Sequence, residues 1–323
     1  MRDFLRASDF TAHDIERMFS LATSLKVPVQ QHQPLDLLHG RSAAMIFQKP
    51  SLRTRATFDI GIYQLGGHAI YLGPTEISLG QRESVYDVAK NLERWVDIII
   101  ARVYSQSDIE ELAEAAKPPV INALSNDEHP CQSMADLFTL YEHGIRNKDM
   151  RLAFVGDGNN VCASLMINAV TLGADVRVAS PKGYAPPQKS IEIAEKLAAE
   201  NGGSLRIMED PKEAVKGANA VYTDTWASMH TESESEKRKH IFRPYQVNTE
   251  LLKNAEAGAK VMHCLPAHRG EELTDEVMDG PNSVVFDQAE NRLHIQKAII
   301  LECLGLAESA VARLKYTYAA AGE

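Results

Sequence analysis

The chain has 323 residues, 44% hydrophobic and 24% charged, with 34 basic against 44 acidic side chains and a formal charge of −10. That balance is ordinary for a globular protein, offers no basic tract to nucleic acid, and obliges any anionic ligand to be held by a local cluster against the overall field. Four cysteines (Cys131, Cys162, Cys264, Cys303) lack CxxC spacing, and neither a signal-peptide apolar run nor a membrane-length segment occurs, so reduced thiols, a cytoplasmic location and no membrane partner are expected.

The length predicts two domains, each with its own core. Thr11 and Asp14 stand at capping-box spacing before Ile15, Met18, Phe19, Ala22 and Leu25, which predicts an amphipathic helix over 11–25. A Pro/Gln/His-rich loop, 28–34, leads to an apolar strand at 43–47. Pro50 and Ser51 stop that strand, and a helical pattern (Phe58, Ile62, Leu65) follows at once. Ser51, Arg53, Thr54 and Arg55 then occupy a first helical turn, where backbone N–H groups lack partners and the dipole is positive. Two hydroxyls and two guanidiniums there suit a phosphate or similar dianion, with a Ser cap and solvated arginines as the simpler alternative.

Strands at 69–72, 96–101 and 119–124 alternate with helices near 85–92 and 107–116, and a polar loop spans 74–83. This is the spacing of βαβ units in a parallel sheet, where function gathers at the carboxyl ends of strands. Arg102 falls at one such end and the run Asn126-Asp127-Glu128-His129-Pro130-Cys131-Gln132 at another, which makes His129 and Gln132 candidate anion contacts. A helix over 131–143 is expected to bridge the domains. A second alternating region follows, with strands at 151–155, 175–179, 204–208, 220–223, 259–263 and 283–286, and a long closing helix from 289. The charge run 232–239 reads as a solvated or mobile segment. The fold class is therefore α/β: two domains, each with a central parallel sheet flanked by helices, joined by interdomain helices.

Gly156-Asp157-Gly158-Asn159-Asn160 opens a helix after a strand, but Val161 stands where a dinucleotide fingerprint needs glycine, and no acidic residue ends the strand at 175–179. A nicotinamide site is not expected; the glycines suit a tight turn that presents Asn159 or Asn160. Asp224, at a strand end, is placed to meet a cationic group or to cap a helix. His263-Cys264-Leu265-Pro266-Ala267-His268-Arg269 leaves three readings open: zinc held by His263, Cys264 and His268; a cysteine nucleophile; or a fixed turn presenting the thiol and a carbonyl. Arg292, early in the last helix, could reach the same cleft.

Ser51-Leu52-Arg53-Thr54-Arg55, His129-Pro130-Cys131-Gln132 and His263-Cys264-Leu265-Pro266 occur in the order and at the separations of the aspartate/ornithine carbamoyltransferase family. With Asp224 and Ser228-Met229, the chain resembles its ornithine branch over about residues 5–304. The resemblance implies a carbamoyl phosphate-binding domain (1–130, with the closing helix 289–323 packing back on it) and an ornithine-binding domain (131–288). It implies carbamoyl phosphate contacts from Ser51, Leu52, Arg53, Thr54, Arg102, His129, Gln132, Cys264, Leu265 and Arg292, and ornithine contacts from Asn160, Asp224, Ser228 and Met229. Arg102, His129, Asp224 and Cys264 are implied in catalysis, with no metal and no cofactor. It further implies a homotrimer with shared active sites, in which the loop 78–83 reaches a neighbour. The implied reaction is carbamoyl transfer from carbamoyl phosphate to ornithine, giving citrulline and phosphate in arginine metabolism, with synthesis and breakdown both open. Leu52 stands where Thr is usual in that branch and His230 where Gly is usual. Putrescine or an N-acylated ornithine is the nearest rival substrate, and a non-catalytic relative the rival of a different kind.

Overall fold

Strand and helix alternate along the chain in a computed structural model that describes residues 1–31, 33, 35–227 and 234–321. Two compact units result, 1–131 with 292–323, and 132–291. The divisions fall inside two helices, Pro130–Glu142 and Val285–Cys303.

The first unit holds a parallel sheet of β1 (Ser42–Phe47), β2 (His68–Leu72), β3 (Ile98–Arg102) and β4 (Val120–Leu124), in the order β2-β1-β3-β4. β3 is buried along its whole length, as a central parallel strand covered on both faces should be. Ala44, Ile46, Ile99, Ala101 and Val120 pack there with Val88, Leu92, Ile109 and Leu112 from the crossover helices. The helix Leu52–Gln64 starts where Ser51 Oγ accepts the Thr54 N–H at 3.3 Å and stops before Gly66, whose φ of 85° a side chain would resist.

The second unit holds β5 (Arg151–Val155), β6 (Asp175–Ala179), β7 (Ser204–Met208), β8 (Ala220–Thr223) and β9 (Lys260–His263), in the order β7-β6-β5-β8-β9, all parallel. Its core joins Ala153, Val155, Val221 and Val261 to Tyr245, Leu251, Leu273 and Val277.

Several expectations change. The first helix runs Ala12–Gln30, through Pro28, into the stretch expected as a loop at 28–34, and the polar loop 74–83 opens with a short helix, Pro74–Ile77. The 283–286 stretch is no strand: Ser283 makes an isolated bridge to Val261, and a helix begins at Val285. Its Val-Val-Phe run carries strand propensity, but the buried positions Val284, Val285, Gln288, Asn291 and Arg292 recur at helical spacing while Phe286 is exposed. The closing helix is two helices, Val285–Cys303 and Ala307–Ala321, separated at Gly305 with φ 70°. The charge run is helical from Ser235 to Phe242, and its Arg238 is buried, not solvated.

Candidate active site

In the first unit, the carboxyl ends of β1, β3 and β4 meet: Phe47 pairs with Arg102, and Arg102 with Leu124. Beyond the strands the chain stays stitched. Gln48 donates its backbone N–H to the Arg102 carbonyl (2.8 Å), Tyr104 N–H reaches Gln48 Oε1 (2.8 Å), and Asn126 N–H reaches the Tyr104 carbonyl (2.9 Å). Residues following three different strands are thereby brought to one place.

Arg53, Arg102 and Arg292 surround His129 closely enough to act on its charge. Burial first, and then these guanidiniums in the order Arg292, Arg102, Arg53, hold the imidazole well below its usual range, so it is neutral at physiological pH. Arg292 donates to Thr54 Oγ1 at 3.1 Å, which ties the helix Val285–Cys303 to the helix carrying the Ser51–Thr54 turn. His129, Arg102, Arg292 and Thr54 are buried, and Arg53 is half-buried. Ser51 Oγ accepts the Thr54 N–H as a helix cap, which leaves its O–H to donate, and the Leu52 side chain is 79% exposed, so any ligand contact of Leu52 there is through backbone.

Arg55 does not join them. Its guanidinium lies over the Tyr71 ring, 3.8 Å from the centroid. Lys49, which spacing alone did not single out, is buried, donates to Asn126 Oδ1 at 2.7 Å and lies over the Tyr104 ring. Burial, helped by Arg102, lowers its pKa to about 8. The signal available in sequence was a lysine between a buried strand and a helix start. Cys131 donates its thiol to the Asn122 carbonyl at 3.3 Å, and burial pushes it up to about 12, which makes it inert. The loop 78–83 is a compact turn: Ser78 has φ 42°, Gly80 N–H bonds the Glu83 carbonyl, and Leu79 is buried while Gln81, Arg82 and Glu83 are exposed.

In the second unit, Asp224 follows β8 and is buried with both oxygens occupied. Asn159 Nδ2 donates to Oδ2 at 2.7 Å and the Cys264 thiol to Oδ1 at 3.0 Å. Asn159 is itself fixed, because its Oδ1 caps the helix Asn160–Thr171 by accepting the N–H groups of Val161 and Cys162. The turn before it needs glycine: a Cβ on Gly158 would sit 2.2 Å from Pro186 N. Asn160 is half-buried in the first turn, so the residue bonded directly to Asp224 is Asn159. Ser228 and Met229, together with His230, lie outside the described residues.

Burial, and then the neighbouring Asp224, raise Cys264 well above the usual thiol range, so the group is a thiol and not a thiolate. A nucleophile would need the opposite environment. His263 is not available as a metal ligand either. Its Nδ1 accepts the Leu265 N–H at 2.9 Å, and its Nε2 lies 3.0 Å from Glu272 Oε1. Asp224, His263 and Cys264, like His268, Glu271 and Glu272, bring one potential ligand atom each within 4.8 Å of one another, but in the first set both ring nitrogens are already engaged. Gln132, in the first turn of Pro130–Glu142, donates to Asp136 Oδ1 at 2.7 Å. Asp136 Oδ1 also accepts from Gln288 Nε2 at 2.6 Å, and Gln288 Oε1 accepts the His263 backbone N–H at 3.0 Å. Sequence reasoning did not find Gln288, Asp157 or Arg238, whose partners Asp136, Arg238 and Asp157 are distant in the chain, nor Glu272, which only the fold buries against the His263 ring.

The family description "aspartate/ornithine carbamoyltransferase, carbamoyl-P binding domain" matches residues 2–142, and "Asp/Orn binding domain" matches 148–303. A Pyrococcus horikoshii protein named ornithine carbamoyltransferase is 51% identical over 94% of this chain and 96% of its own length. The solved ornithine carbamoyltransferase of Pyrococcus furiosus superposes with a TM-score of 0.91 at 51% identity, covering 94% of this chain and 97% of that one. The anabolic enzyme of Campylobacter jejuni gives 0.89 at 36% identity, covering 94% and 99%. Matched in both halves and across nearly its whole length, the chain belongs to the aspartate/ornithine carbamoyltransferase family.

Proposed function

We propose that this chain is an ornithine carbamoyltransferase, which joins carbamoyl phosphate and L-ornithine to give L-citrulline and phosphate. The identity of about half the residues to proteins of that name, over 94% of the chain, carries the reading. A relative named anabolic, from Pyrococcus furiosus, supports the biosynthetic direction.

The chemistry agrees with the residues. A neutral amine attacks the carbonyl carbon, a tetrahedral oxyanion forms, and phosphate leaves with the proton. We assign carbamoyl phosphate to the first unit, where Arg53, Arg102 and Arg292 supply charge and Thr54 a hydroxyl. Fixed cations aimed at developing charge stabilise such an oxyanion without reorganisation. Neutral His129 donates a hydrogen bond to the carbonyl oxygen and adds no charge of its own. In the second unit Asp224, itself oriented by Asn159 and Cys264, orients the side-chain amine of ornithine, which attacks in its neutral form. Gln132, Leu52, Cys264 and Leu265 are assigned to the carbamoyl group and phosphate, and Asn160, Ser228 and Met229 to the amino-acid end. No metal or cofactor is needed for this chemistry. We also assign a homotrimer in the cytoplasm, with the exposed turn 81–83 offered to a neighbour.

The test is product formation from carbamoyl phosphate with ornithine, putrescine, N-acetylornithine and aspartate. Ornithine should give the highest kcat/KM. Preference for putrescine removes the substrate assignment but not the reaction class, and absence of carbamoylation with every amine removes both. Light scattering should give three chains of 35.7 kDa each.

A further inference from the structure

Leu265 has φ 60°, a left-handed conformation that a branched side chain resists and that persists only where the surroundings enforce it. The enforcing contact is visible. Leu265 donates its N–H to Nδ1 of His263, two residues back, at 2.9 Å. An imidazole nitrogen that accepts carries no proton, so the proton of this neutral ring is on Nε2, which donates to Glu272 Oε1 at 3.0 Å. The same carboxylate oxygen accepts the His268 N–H at 2.6 Å. His263 and Glu272 are both fully buried. Between the two residues of this bond, His263 and Leu265, lies Cys264, whose thiol is aimed at Asp224.

We propose that Glu272 is a positioning residue: by fixing the tautomer of His263 it holds Leu265 left-handed and sets the direction of the Cys264 thiol toward Asp224. The bonds of Glu272 Oε1 are to the His263 ring and the His268 N–H, so it acts on Cys264 through the ring. Without the carboxylate, the buried Nε2–H has no acceptor, and the other tautomer would turn a donor against the Leu265 N–H. Either way the turn loses its anchor. The second tie on this turn, from His263 N–H to Gln288 Oε1 at 3.0 Å, holds the backbone of His263 and not that of Leu265. The consequence for catalysis rests on the ornithine carbamoyltransferase reading above.

The test compares Glu272→Leu, Glu272→Gln and wild type in the full-length protein. Leu removes the acceptor; Gln keeps a carbonyl oxygen for both the His263 ring and the His268 N–H. Glu272→Leu should raise KM for ornithine about tenfold to a hundredfold, as misplacement of an orienting group does. Released from Asp224, the Cys264 thiol should also react faster with iodoacetamide, the other three cysteines being buried. Glu272→Gln should restore both readouts. Unchanged KM and unchanged alkylation in a folded Glu272→Leu protein overturn the proposal. If the Leu variant does not fold, Glu272→Asp, which retains the charge but withdraws the oxygen by one methylene, should move both readouts in the same direction, and unchanged values again overturn it. Alkylation is measured without substrate, so a wild type that does not use ornithine defeats the functional reading separately.

Discussion

Arg238 and Asp157, 81 residues apart, form an ion pair with Nη1 2.9 Å from Oδ2. Their side chains are 9% and 13% exposed, so the pair is desolvated. The same Nη1 donates to the Trp226 carbonyl at 2.8 Å, and the guanidinium lies over the rings of Tyr184 and Phe242. One side chain thus ties the glycine turn before Asn159 to the residues just after Asp224.

Removing one partner of a buried pair leaves the other as an uncompensated charge, at a cost of about 3–5 kcal/mol. Arg238→Met should therefore destabilise the second unit by that order. Adding Asp157→Asn should recover part of the loss, since the stranded carboxylate is then gone. Urea unfolding followed by Trp226 fluorescence, with Trp95 replaced by Phe, measures both. Additive losses in the double variant would show that the pair is not coupled.

Arg238 also shows what could be read from sequence and what could not. Within 232–239 three glutamates followed by Lys237-Arg238-Lys239 say only that the segment is polar. Whether one of those charges is buried depends on a carboxylate 81 residues away. The strands were legible because buried parallel strands are continuous apolar runs, as at 98–101 and 152–155. Arg102, His129 and Asp224 were legible because each ends a strand or follows one. Lys49, Glu272 and Gln288 were not, because a lysine, a glutamate and a glutamine are common on surfaces, and only the tertiary fold turns these three inward. Arg55 shows the reverse case: beside Arg53 it looked equivalent, and Tyr71 on the adjoining β2 takes it away.

That distinction is testable in the phosphate site. Arg53→Ala should weaken carbamoyl phosphate binding by roughly 1.5–3 kcal/mol, the usual worth of a charge-assisted bond. Arg55→Ala should leave it within about twofold, less than about 0.5 kcal/mol, as for a surface substitution away from the site. Titration calorimetry decides, and equal losses in both variants would place Arg55 back among the ligands.

Cys264 is a hydrogen-bond donor to Asp224 and its thiol is held far from ionisation. Cys264→Ser keeps a donor on the same carboxylate and should reduce ornithine use without abolishing turnover. Cys264→Ala leaves Asp224 Oδ1 without that donor and should cost more, by about 1–3 kcal/mol for an unsatisfied buried acceptor. A carbamoyl thioester trapped on Cys264 and seen by mass spectrometry would sink this assignment.

Asp157 and His129 act on stability with opposite signs. Burial first, with Asp224 adding to it and Arg238 opposing, raises Asp157 from 3.8 to about 6. The folded state therefore binds this proton more readily than the unfolded chain does. Its contribution is fully present below about pH 3.8 and is lost as pH rises through about 6. His129 runs the other way. Its folded pKa lies well below 6.5, so its contribution is present above that value and is lost as pH falls, when the unfolded chain takes a proton that the native site refuses. Between pH 4 and 6.5 the two partly cancel, and variants separate them. Relative to wild type, Asp157→Asn should remove a component that favours acid. A shift of about two units caps that component at roughly 3 kcal/mol. His129→Asn should remove a component that favours neutral pH. Unfolding free energies of wild type and both variants from pH 4 to 8 give the two differences directly. Should the Asp157→Asn difference be flat across pH 4–7, the carboxylate is not perturbed in the fold, and the desolvated ion pair with Arg238 is a poorer description than a hydrated one.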